Sequence, residues 1–458
     1  MAAQTFSRQP KPVPPVKTRN RLIHTPIPTS GTKEVLEKLD AFESRSMHGQ
    51  LPLVWHRATD FSIYDAAGNR WIDFTSMIFV ANVGHSNQRV TEAMKAALDS
   101  PLYGCYAYPN ETRARYMKKL VEFAGPPFEK AFLLSAGTEA TEAVLKLTRM
   151  EAQRQGKRRR GVVCIEGNWH GRTLGAQMMS SNVAQREWIG YQDADIHHIP
   201  FPYPWVLKGR SGADFLKESL TKLTDAGIDL AKDVGGFMLE TFQGWGAVFY
   251  PADYVQEIER LCRKNGILLA FDEMQAGFGR TGRAFGYQHY GVTPDLIACG
   301  KGMGGGVPLS GVVGRAAIMD LPEIGNMSST HSANPLVCAA GLAVIAELED
   351  RNLVAEAARK GELLFDALHK LEARFPDRIS WVFGRGLIAA VLFANPKTGK
   401  PDGPFTSRVA ERCMQKGLLV VHTGRESIKI GPPLTITDEA LLEGVDVLGE
   451  SIAEIAAE

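Results

Sequence analysis

The 458-residue sequence has almost no net charge, few cysteines and no long apolar run. Its formal net charge of +1 gives no reason to expect nucleic acid or an acidic surface as a partner. The longest clean apolar stretches, such as Leu387 to Phe393, are far too short to span a bilayer. The six scattered cysteines contain no C-x-x-C pair, which argues against a disulfide framework or a zinc cluster. We therefore expect a cytoplasmic protein with reduced thiols, no metal site, and no membrane or nucleic-acid partner.

Acidic residues are also missing from the first 33 positions, which carry six basic residues and several prolines. A basic, acid-poor start can indicate an organellar transit peptide, but the prolines prevent the amphipathic helix that such a peptide needs. We expect instead an extended arm that lies on the body of the protein or on a partner subunit. A second basic run, Lys157 to Arg160, lies between a helix and a strand without interleaved aromatic residues, so we interpret it as a solvated turn.

From Ala131 onward the sequence alternates short apolar runs with segments of helical length. This alternation predicts an α/β protein with a mainly parallel central sheet and helices on both faces. From about Asn334 the pattern changes to two long helices, two strands and a final helix from Asp438, which predicts a smaller α+β lobe from the two chain ends. The expected division is residues 1–75 for the arm and a segment joining the small lobe, 76–333 for the large domain, and 334–458 for the small domain. The predicted strands of the sheet are Ala131–Leu134, Val162–Ile165, Gly236–Leu239, Ile267–Phe271, Leu296–Cys299 and Leu309–Val313.

Two of these strands end in residues that could carry chemistry. The continuous apolar run Ile267–Phe271, typical of a strand buried on both faces, ends in Asp272, and the run Leu296–Cys299 ends in Gly300 and Lys301. An acid and a lysine at the ends of buried strands lie where open α/β sheets bind ligands. Pyridoxal phosphate enzymes need this pair, since a carboxylate keeps the ring nitrogen protonated and a lysine forms an imine with the aldehyde.

Other interpretations of this region exist. Taken singly, an acid or a lysine beside glycine after a strand is more often a solvated turn residue. The spacing Gly300-x-Gly302-x-x-Gly305 formally matches a dinucleotide-binding fingerprint, but a predicted strand follows it, whereas that fingerprint must open a helix.

Polar residues follow other predicted strands in the same way. The turn Ser135 to Glu139 opens a helix near Thr138 and would present free N–H groups to a phosphate, although an ordinary helix cap is equally consistent with it. Thr330 is a further candidate phosphate ligand. The stretch Asn168 to Thr173 offers an indole, Trp169, to stack on a planar ring and a guanidinium, Arg172, to hold a carboxylate.

Together these pieces resemble the class III (ω-amino acid) aminotransferases, in particular in the stretches FDEMQAGFGRTG and PDLIACGKGMGGGVPLSGVVGR. The resemblance runs from roughly Val54 to Thr437. It implies fold type I, pyridoxal 5'-phosphate as cofactor, and a homodimer with shared active sites, or a tetramer. By this resemblance Lys301 is the Schiff-base lysine and Asp272 pairs with the pyridine nitrogen. The other implied cofactor contacts are Met274 and Trp169 on the two ring faces, Gln275 at the phenolic oxygen, Glu240 beside them, Gly137 and Thr138 at the phosphate, and Thr330 from the neighbouring subunit.

Two departures from the family pattern concern the substrate. Trp245 stands where the family usually has Glu, and Lys429 stands where it usually has Arg; in amino acid-accepting members those two side chains pair. Lys429 offers a point charge but lacks the planar grip of a guanidinium. Arg172, the other carboxylate-binding position, is kept, and Met77 (usually Gly) and Phe79 are expected to fill the pocket further. The hypothesis is a substrate with one anionic group facing Arg172 in an otherwise narrower, less cationic site.

The resemblance implies a transaminase that moves an amino group from a primary amine or ω-amino acid to a keto acid, pyruvate or 2-oxoglutarate, by a ping-pong mechanism. One alternative is an amino acid racemase or epimerase of the same family, which the loss of the Glu/Arg pair mildly favours. The other is a cofactor-free binding protein, against which every expected cofactor contact argues.

Overall fold

The computed structural model describes residues 6–100 and 102–458. The chain divides into two compact units. The sheet unit comprises Gln88–Gly244 and Val248–Val354, and the end unit comprises Met1–Asn87, Trp245–Ala247 and Ala355–Glu458. The three-part domain division expected from the sequence stays a prediction.

The sheet unit contains a seven-stranded sheet, whose strands are labelled here β1 to β7 in chain order. They are β1 (Lys130–Leu134), β2 (Gly161–Ile165), β3 (Ile196–Ile199), β4 (Val234–Glu240), β5 (Leu268–Asp272), β6 (Leu296–Cys299) and β7 (Ser310–Gly314). Their order across the sheet is β1-β7-β6-β5-β4-β2-β3. Only β7 runs antiparallel to its neighbours, β1 and β6, so the other six strands point the same way. The predicted mainly parallel sheet is confirmed.

Among the described residues of the sheet unit, seven helices are longer than five residues. They are α1 (Gln88–Asp99), α2 (Glu111–Ala124), α3 (Gly137–Arg154), α4 (Leu174–Met179), α5 (Gly212–Asp225), α6 (Ala252–Asn265) and α7 (Pro335–Asp350). Shorter elements are the helical turns Val183–Arg186, Pro204–Leu207, Leu230–Asp233 and Ala316–Met319, the 3-10 turns Glu187–Ile189, Gly286–Tyr290 and Lys301–Met303, and the strand pair Phe242–Gln243 and Val248–Phe249.

Both faces of the sheet are buried, because successive side chains of a strand point to opposite sides. On one face Ala270 of β5 joins a core cluster with Val144 and Leu147 of α3. On the other face the ring of Phe271 lies 6.0 Å from that of Tyr287, in the 3-10 turn Gly286–Tyr290. Because the strands are buried on both sides, their sequences are continuous apolar runs, and they were predicted from those runs.

Strand β3 was not predicted from the sequence. Its four residues are Ile196, His197, His198 and Ile199, so two polar residues interrupt the apolar signal. The structure accommodates them because β3 lies at the edge of the sheet and the His198 ring bonds to the Met179 carbonyl oxygen at 3.0 Å. Burial lowers the pKa of His198 to about 4, so its imidazole is neutral at physiological pH.

The end unit contains two sheets and five helices among its described residues. One sheet has the strands Val16–Lys17, Leu22–Ile23, Arg57–Thr59, Ser62–Tyr64, Arg70–Asp73 and Leu418–Leu419, and the other has Ile379–Arg385, Ile388–Phe393, Val421–His422 and Ser427–Ile430. The helices are Thr32–Phe42, Ser76–Phe79, Leu353–Arg374 (which begins two residues before the unit), Gly403–Gln415 and Asp438–Ala457, with a 3-10 turn at Arg45–Met47. The predicted smaller α+β lobe from both chain ends is thus present.

The N-terminal arm packs on the end unit. The strand Leu22–Ile23 pairs with Arg70 of the strand Arg70–Asp73. Ile23 and Ile27 are fully buried in a cluster with Trp71 and Met414. The arm therefore lies on the body of its own chain, one of the two placements expected; residues 1–5 lie outside the described part.

The segment Thr75 to His85 begins with a helical turn of unusual conformation, Ser76–Phe79. Ser76, Met77, Ile78 and Phe79 all have positive φ, between 47° and 72°. This left-handed region disfavours residues with a Cβ, and most of all a β-branched one such as Ile78. Asp73 fixes this turn. Its carboxylate accepts hydrogen bonds from the backbone N–H groups of Thr75 and Ser76, and it lies 2.7 Å from Nε2 of His85.

All six cysteines are free; five of them are buried, and Cys105 is partly exposed. In the basic run Lys157–Arg160, two of the four residues form ion pairs: Arg158 with Asp233, and Arg159 with Asp195. Among the described residues, no helix combines the length and the apolar character needed to cross a membrane.

Candidate active site

The carboxyl ends of five parallel strands, β1, β2, β4, β5 and β6, meet at one edge of the large sheet. The predicted site residues of the sheet unit follow these strands. Asp272, the last residue of β5, pairs in register with Glu240 of β4 and Ala298 of β6. The edge therefore collects side chains that are far apart in the sequence.

The Asp272 carboxylate is buried and held in a fixed orientation. Its Oδ2 lies 2.9 Å from Nδ1 of His170, and its Oδ1 accepts the Met274 N–H at 3.0 Å. The Asn168 amide donates to Nε2 of the same imidazole at 3.0 Å. Because Nε2 accepts, Nδ1 carries the proton and donates it to Asp272. A carboxylate held this way can stabilise a positive charge brought to its free side.

Lys301 follows β6 within a turn rich in glycine. Its own backbone has a φ of +46°, in the left-handed region, and it opens the 3-10 turn Lys301–Met303. Burial lowers the pKa of the Lys301 amine, while the carboxylates of Asp272 and Glu240 act in the opposite direction. A lysine amine with a lowered pKa is more often neutral, and the neutral amine is the nucleophilic form.

The Met274 side chain lies between two glycines on this edge. A Cβ at Gly300 would lie 2.5 Å from the Met274 sulfur, and one at Gly137 would lie 2.9 Å from it. Any larger residue at either position would displace the thioether. The flexible Met274 side chain thus fills the space between the start of α3 and the lysine turn.

The N-terminus of α3 has the properties expected of an anion site. Its first residues are Gly137 and Thr138, whose N–H groups have no partner inside the helix because they belong to the first turn. Glu139 accepts the N–H groups of Ser135 and Ala136, each at 2.9 Å, and so fixes the preceding turn. The Thr138 hydroxyl lies 2.7 Å from that of Thr173.

Trp169 and Arg172 contact each other. The guanidinium carbon of Arg172 lies 4.3 Å from the centre of the Trp169 ring, a cation–π arrangement, and the indole is 40% exposed. The backbone N–H groups of Trp169 and Gly244 both donate to Oε2 of Glu240, each at 3.3 Å. A Cβ at Gly244 would lie 2.7 Å from Glu240 Oε1 and 2.8 Å from the Gln275 amide nitrogen, which places Gln275 beside Glu240.

The structure therefore brings nine of the predicted residues of the sheet unit to one edge. They are Gly137, Thr138, Trp169, Arg172, Glu240, Asp272, Met274, Gln275 and Lys301. Thr330 is exposed, and no contact described for this chain joins it to Gly137 or Thr138.

The four remaining predicted residues, Met77, Phe79, Trp245 and Lys429, belong to the end unit, and the Met77 side chain is exposed. Lys429 is 4% exposed, and its Nζ lies 4.4 Å from the centre of the Phe79 ring. The Arg425 guanidinium carbon lies 3.9 Å from the centre of the Trp245 ring. Trp245 also accepts a hydrogen bond at its carbonyl from Ser427, at 2.9 Å. Trp245 and Lys429 therefore each take part in a cation–π contact within the end unit.

Sequence analysis did not identify Asn168 and His170 as site residues. Asn168 and His170 flank Trp169, so the signal was present in a stretch that had already been selected. Their role depends on a contact between two different strand ends, 102 positions apart in the sequence, which spacing alone does not reveal. Within residues 6–100 and 102–458, no group of three or more His, Cys, Asp and Glu side chains could hold a metal ion.

The residues at the sheet edge fit pyridoxal phosphate. The free N–H groups of α3 suit its phosphate. The buried Asp272 carboxylate, oriented by His170, suits a protonated ring nitrogen, and the Lys301 amine with its lowered pKa suits the aldehyde. The exposed Trp169 indole offers a flat apolar face.

Comparisons with known proteins agree with this chemistry. Residues 44–452 match the family model of the class III aminotransferases. The chain is 32% identical to the 4-aminobutyrate aminotransferase of Mycobacterium leprae, over 95% of this chain and 99% of that protein. It is 33% identical to a leucine/methionine racemase of Thermococcus litoralis, over 92% and 96% of the two chains. It superimposes on the acetylornithine aminotransferase structure from Elizabethkingia anophelis with a TM-score of 0.79 and 29% identity, over 93% of this chain and all of that one. The chain belongs to the class III aminotransferase family, whose cofactor is pyridoxal phosphate, and it is a transaminase.

Proposed function

We propose that this transaminase holds pyridoxal 5'-phosphate at the sheet edge and moves an amino group from a carboxylate-bearing primary amine, such as an ω-amino acid, to a keto acid. The observation that carries the proposal is the pair formed by Asp272, oriented by His170 at 2.9 Å, and Lys301, at the ends of adjacent parallel strands. The N–H groups of Gly137 and Thr138 would hold the phosphate, and Met274, Trp169, Gln275 and Glu240 would hold the ring. When bound, the cofactor supplies an electron-accepting ring next to the substrate carbon that bears nitrogen.

The side chains of this protein have separate tasks. Asp272 would hold a proton on the ring nitrogen of the bound cofactor, because its negative charge stabilises a positive charge beside it. Lys301, as a neutral amine, removes the proton from the substrate carbon that bears nitrogen and returns a proton during the same half of the cycle. The carbonyl product of the donor leaves before the acceptor enters, and the enzyme would retain the amino group in between, which gives ping-pong kinetics.

Arg172 is the proposed ligand for the substrate carboxylate. Its guanidinium lies over the Trp169 ring at 4.3 Å, so its position is set while its N–H groups stay available for a two-point contact. The 4-aminobutyrate aminotransferase relative supports a donor whose carboxylate is remote from the amine. Phe79, Trp245 and Lys429 would limit the acceptor, since Lys429 provides one point charge in place of a guanidinium.

Steady-state kinetics with two acceptors test this substrate class. We expect pyruvate to be used efficiently and 2-oxoglutarate to have a high KM, because its second carboxylate lacks a guanidinium partner. Lys429→Ala should abolish any remaining use of 2-oxoglutarate while changing pyruvate kinetics little. Efficient, saturable use of 2-oxoglutarate that survives Lys429→Ala would refute the narrower, less cationic site.

A homodimer with shared active sites is part of the proposal. Thr330 is exposed in its own chain and is proposed to complete the phosphate site of the partner chain. Two features of the described residues support this assignment. Thr330 is exposed, and no hydrogen bond in that part of the chain joins it to Thr138. A location in the cytoplasm remains an expectation based on free thiols.

The racemase relative identifies the competing activity. The two are separated by mixing enzyme and amine donor without an acceptor. A transaminase releases one equivalent of carbonyl product per active site and then stops, whereas a racemase releases none and inverts the amine instead. We expect the burst of carbonyl product.

A further inference from the structure

The segment that carries His170 and Arg172 is attached to one face of α3. Thr138, Thr141 and Glu142 lie at positions i, i+3 and i+4 of this helix, and therefore on the same side. Each of them bonds to the backbone between His170 and Ala176. Of these three residues, only Thr138 was predicted from the sequence to belong to the site.

Thr141 and Glu142 anchor the segment on both sides of Arg172. The buried Thr141 hydroxyl donates to the His170 carbonyl oxygen at 2.8 Å. The Glu142 carboxylate accepts the N–H groups of Gly175 and Ala176, at 2.8 and 3.0 Å, at the start of α4. Those N–H groups belong to the first turn of α4 and have no partner inside that helix, so Glu142 supplies the acceptor they need.

Thr138 adds a third attachment at the centre. Its hydroxyl oxygen accepts the N–H groups of Arg172 and Thr173, each at 3.2 Å. The approach is close because residue 171 is glycine, with a φ of +142°; a Cβ there would overlap the Thr138 hydroxyl. The backbone of Arg172 is thus held by α3, and its guanidinium by the Trp169 ring.

We propose that Thr141 and Glu142 are positioning residues that determine specificity for a carboxylate-bearing donor. Through the segment His170–Ala176 they hold Arg172 at a fixed distance from the N-terminus of α3, so that the anion sites for phosphate and for substrate carboxylate keep a constant separation. Loss of either attachment releases Arg172 without removing it. The inference rests on the proposed function, because it assigns the substrate carboxylate to Arg172.

Paired variants test the proposal. Glu142→Ala removes the acceptor, and Glu142→Gln keeps an acceptor oxygen; Thr141→Val removes the hydroxyl, and Thr141→Ser keeps it. The donors are 4-aminobutyrate and 1-butylamine, which differ by the carboxylate. We expect Glu142→Ala and Thr141→Val to raise the KM for 4-aminobutyrate on the order of tenfold. In an Arg172→Ala background the same substitutions should raise this KM much less, because the effects of coupled residues are not additive. Butylamine kinetics should change less than about twofold.

Conservative and remote variants serve as controls. Glu142→Gln and Thr141→Ser should restore most of the preference for 4-aminobutyrate. Glu151→Ala, on the same helix, removes a carboxylate that bonds to Arg154 and Gln155 instead, so it should leave the preference unchanged. Equal losses with both donors, or losses that persist in full in the Arg172→Ala background, would overturn the positioning role.

Hydrogen exchange of the protein without cofactor gives a readout independent of activity. We expect amides of residues 168–178 to exchange faster in Glu142→Ala than in wild type, and at the wild-type rate in Glu142→Gln. Unchanged exchange in Glu142→Ala also overturns the proposal. If instead wild type shows no preference for 4-aminobutyrate over butylamine while exchange changes as expected, the attachment stands and the carboxylate assignment to Arg172 fails.

Discussion

Asp272 receives hydrogen bonds from two different directions, from the His170 ring and from the Met274 N–H. Both are short enough to fix the carboxylate plane, and His170 is itself fixed by Asn168. Geometry at this position is therefore set by neighbours rather than by Asp272 alone. An amide in its place would keep the shape but lose the charge.

Asp272→Asn should reduce kcat on the order of 10³-fold or more, because a neutral amide does not stabilise a proton on the ring nitrogen. Stopped-flow measurement of the amine half-reaction checks this, with cofactor content measured by absorbance. A variant that binds cofactor normally and retains a tenth or more of wild-type kcat would contradict the role of the carboxylate charge.

Lys301 combines a reactive amine with an unfavourable environment. Lys301→Met should abolish turnover, since methionine has no amine to take the proton. The same change should stabilise the cofactor-free protein at neutral pH, because burial of the ammonium lowers the Lys301 pKa and so costs folding free energy.

The pH dependence has a defined sign. The unfolded chain binds a proton at Lys301 more readily than the folded one, so the stability of wild type relative to Lys301→Met rises with pH, up to the ordinary lysine pKa of 10.5. The advantage of Lys301→Met should therefore shrink as the pH approaches that value. Denaturant titrations at several pH values measure it, and an advantage that grows with pH would refute the argument.

At the scale of elements, Glu273 ties the segment after β5 to the sheet. This fully buried carboxylate accepts hydrogen bonds from the Thr241 hydroxyl at 2.6 Å and from the N–H groups of Gly286 and Tyr287 at 2.8 Å each. Through these bonds Glu273, the residue after Asp272, fixes the position of the 3-10 turn Gly286–Tyr290. Burial raises the pKa of Glu273 to about 7.

Glu273→Gln should change how stability depends on pH. A raised carboxyl pKa contributes stability that is fully present below the ordinary value of 4.5 and is lost as the pH rises through about 7. Since glutamine does not titrate, the free energy of unfolding of wild type relative to Glu273→Gln should fall between about pH 5 and about pH 8, by up to about 3 kcal/mol. A difference that is constant over this range would show that Glu273 does not titrate there.

The elements that the sequence predicted are those whose burial is uniform. Strand β6 is apolar throughout, and β5 is apolar up to its last residue, Asp272; both were found with nearly correct bounds. Strand β3 was missed because two histidines interrupt it, and the strand Ser427–Ile430 because Lys429 sits in its middle. In both, a tertiary contact satisfies the polar side chain, and composition cannot show that contact.

The same distinction applies to the site. Residues that follow a strand could be collected from the sequence, because parallel strands bring their carboxyl ends to one edge. The partners of those residues could not, since they depend on which segments touch. His170 lies within the stretch Asn168 to Thr173, and Glu142 lies shortly after the turn Ser135 to Glu139. Their importance follows only from the bonds that His170 makes to Asp272 and that Glu142 makes to the start of α4.

At the scale of the whole molecule, we expect two chains per particle. Analytical ultracentrifugation should give twice the 50.2 kDa of the chain. If Thr330 serves the partner's site, mixing Lys301→Ala with Thr330→Val chains should restore activity, because one site of each hybrid then has both intact residues. A monomer, or a hybrid as inactive as its parents, would disprove the shared site.

The distribution of the thiols has a practical consequence. Burial raises the pKa of Cys164, Cys262, Cys299, Cys338 and Cys413, so these five side chains resist alkylation in the folded protein. Cys105 alone is partly exposed among the six, with the Asn110 amide 3.0 Å from its sulfur. The natural chain is therefore ready for attachment of a single fluorophore, and energy transfer between two differently dyed populations would follow subunit exchange without any engineered mutation.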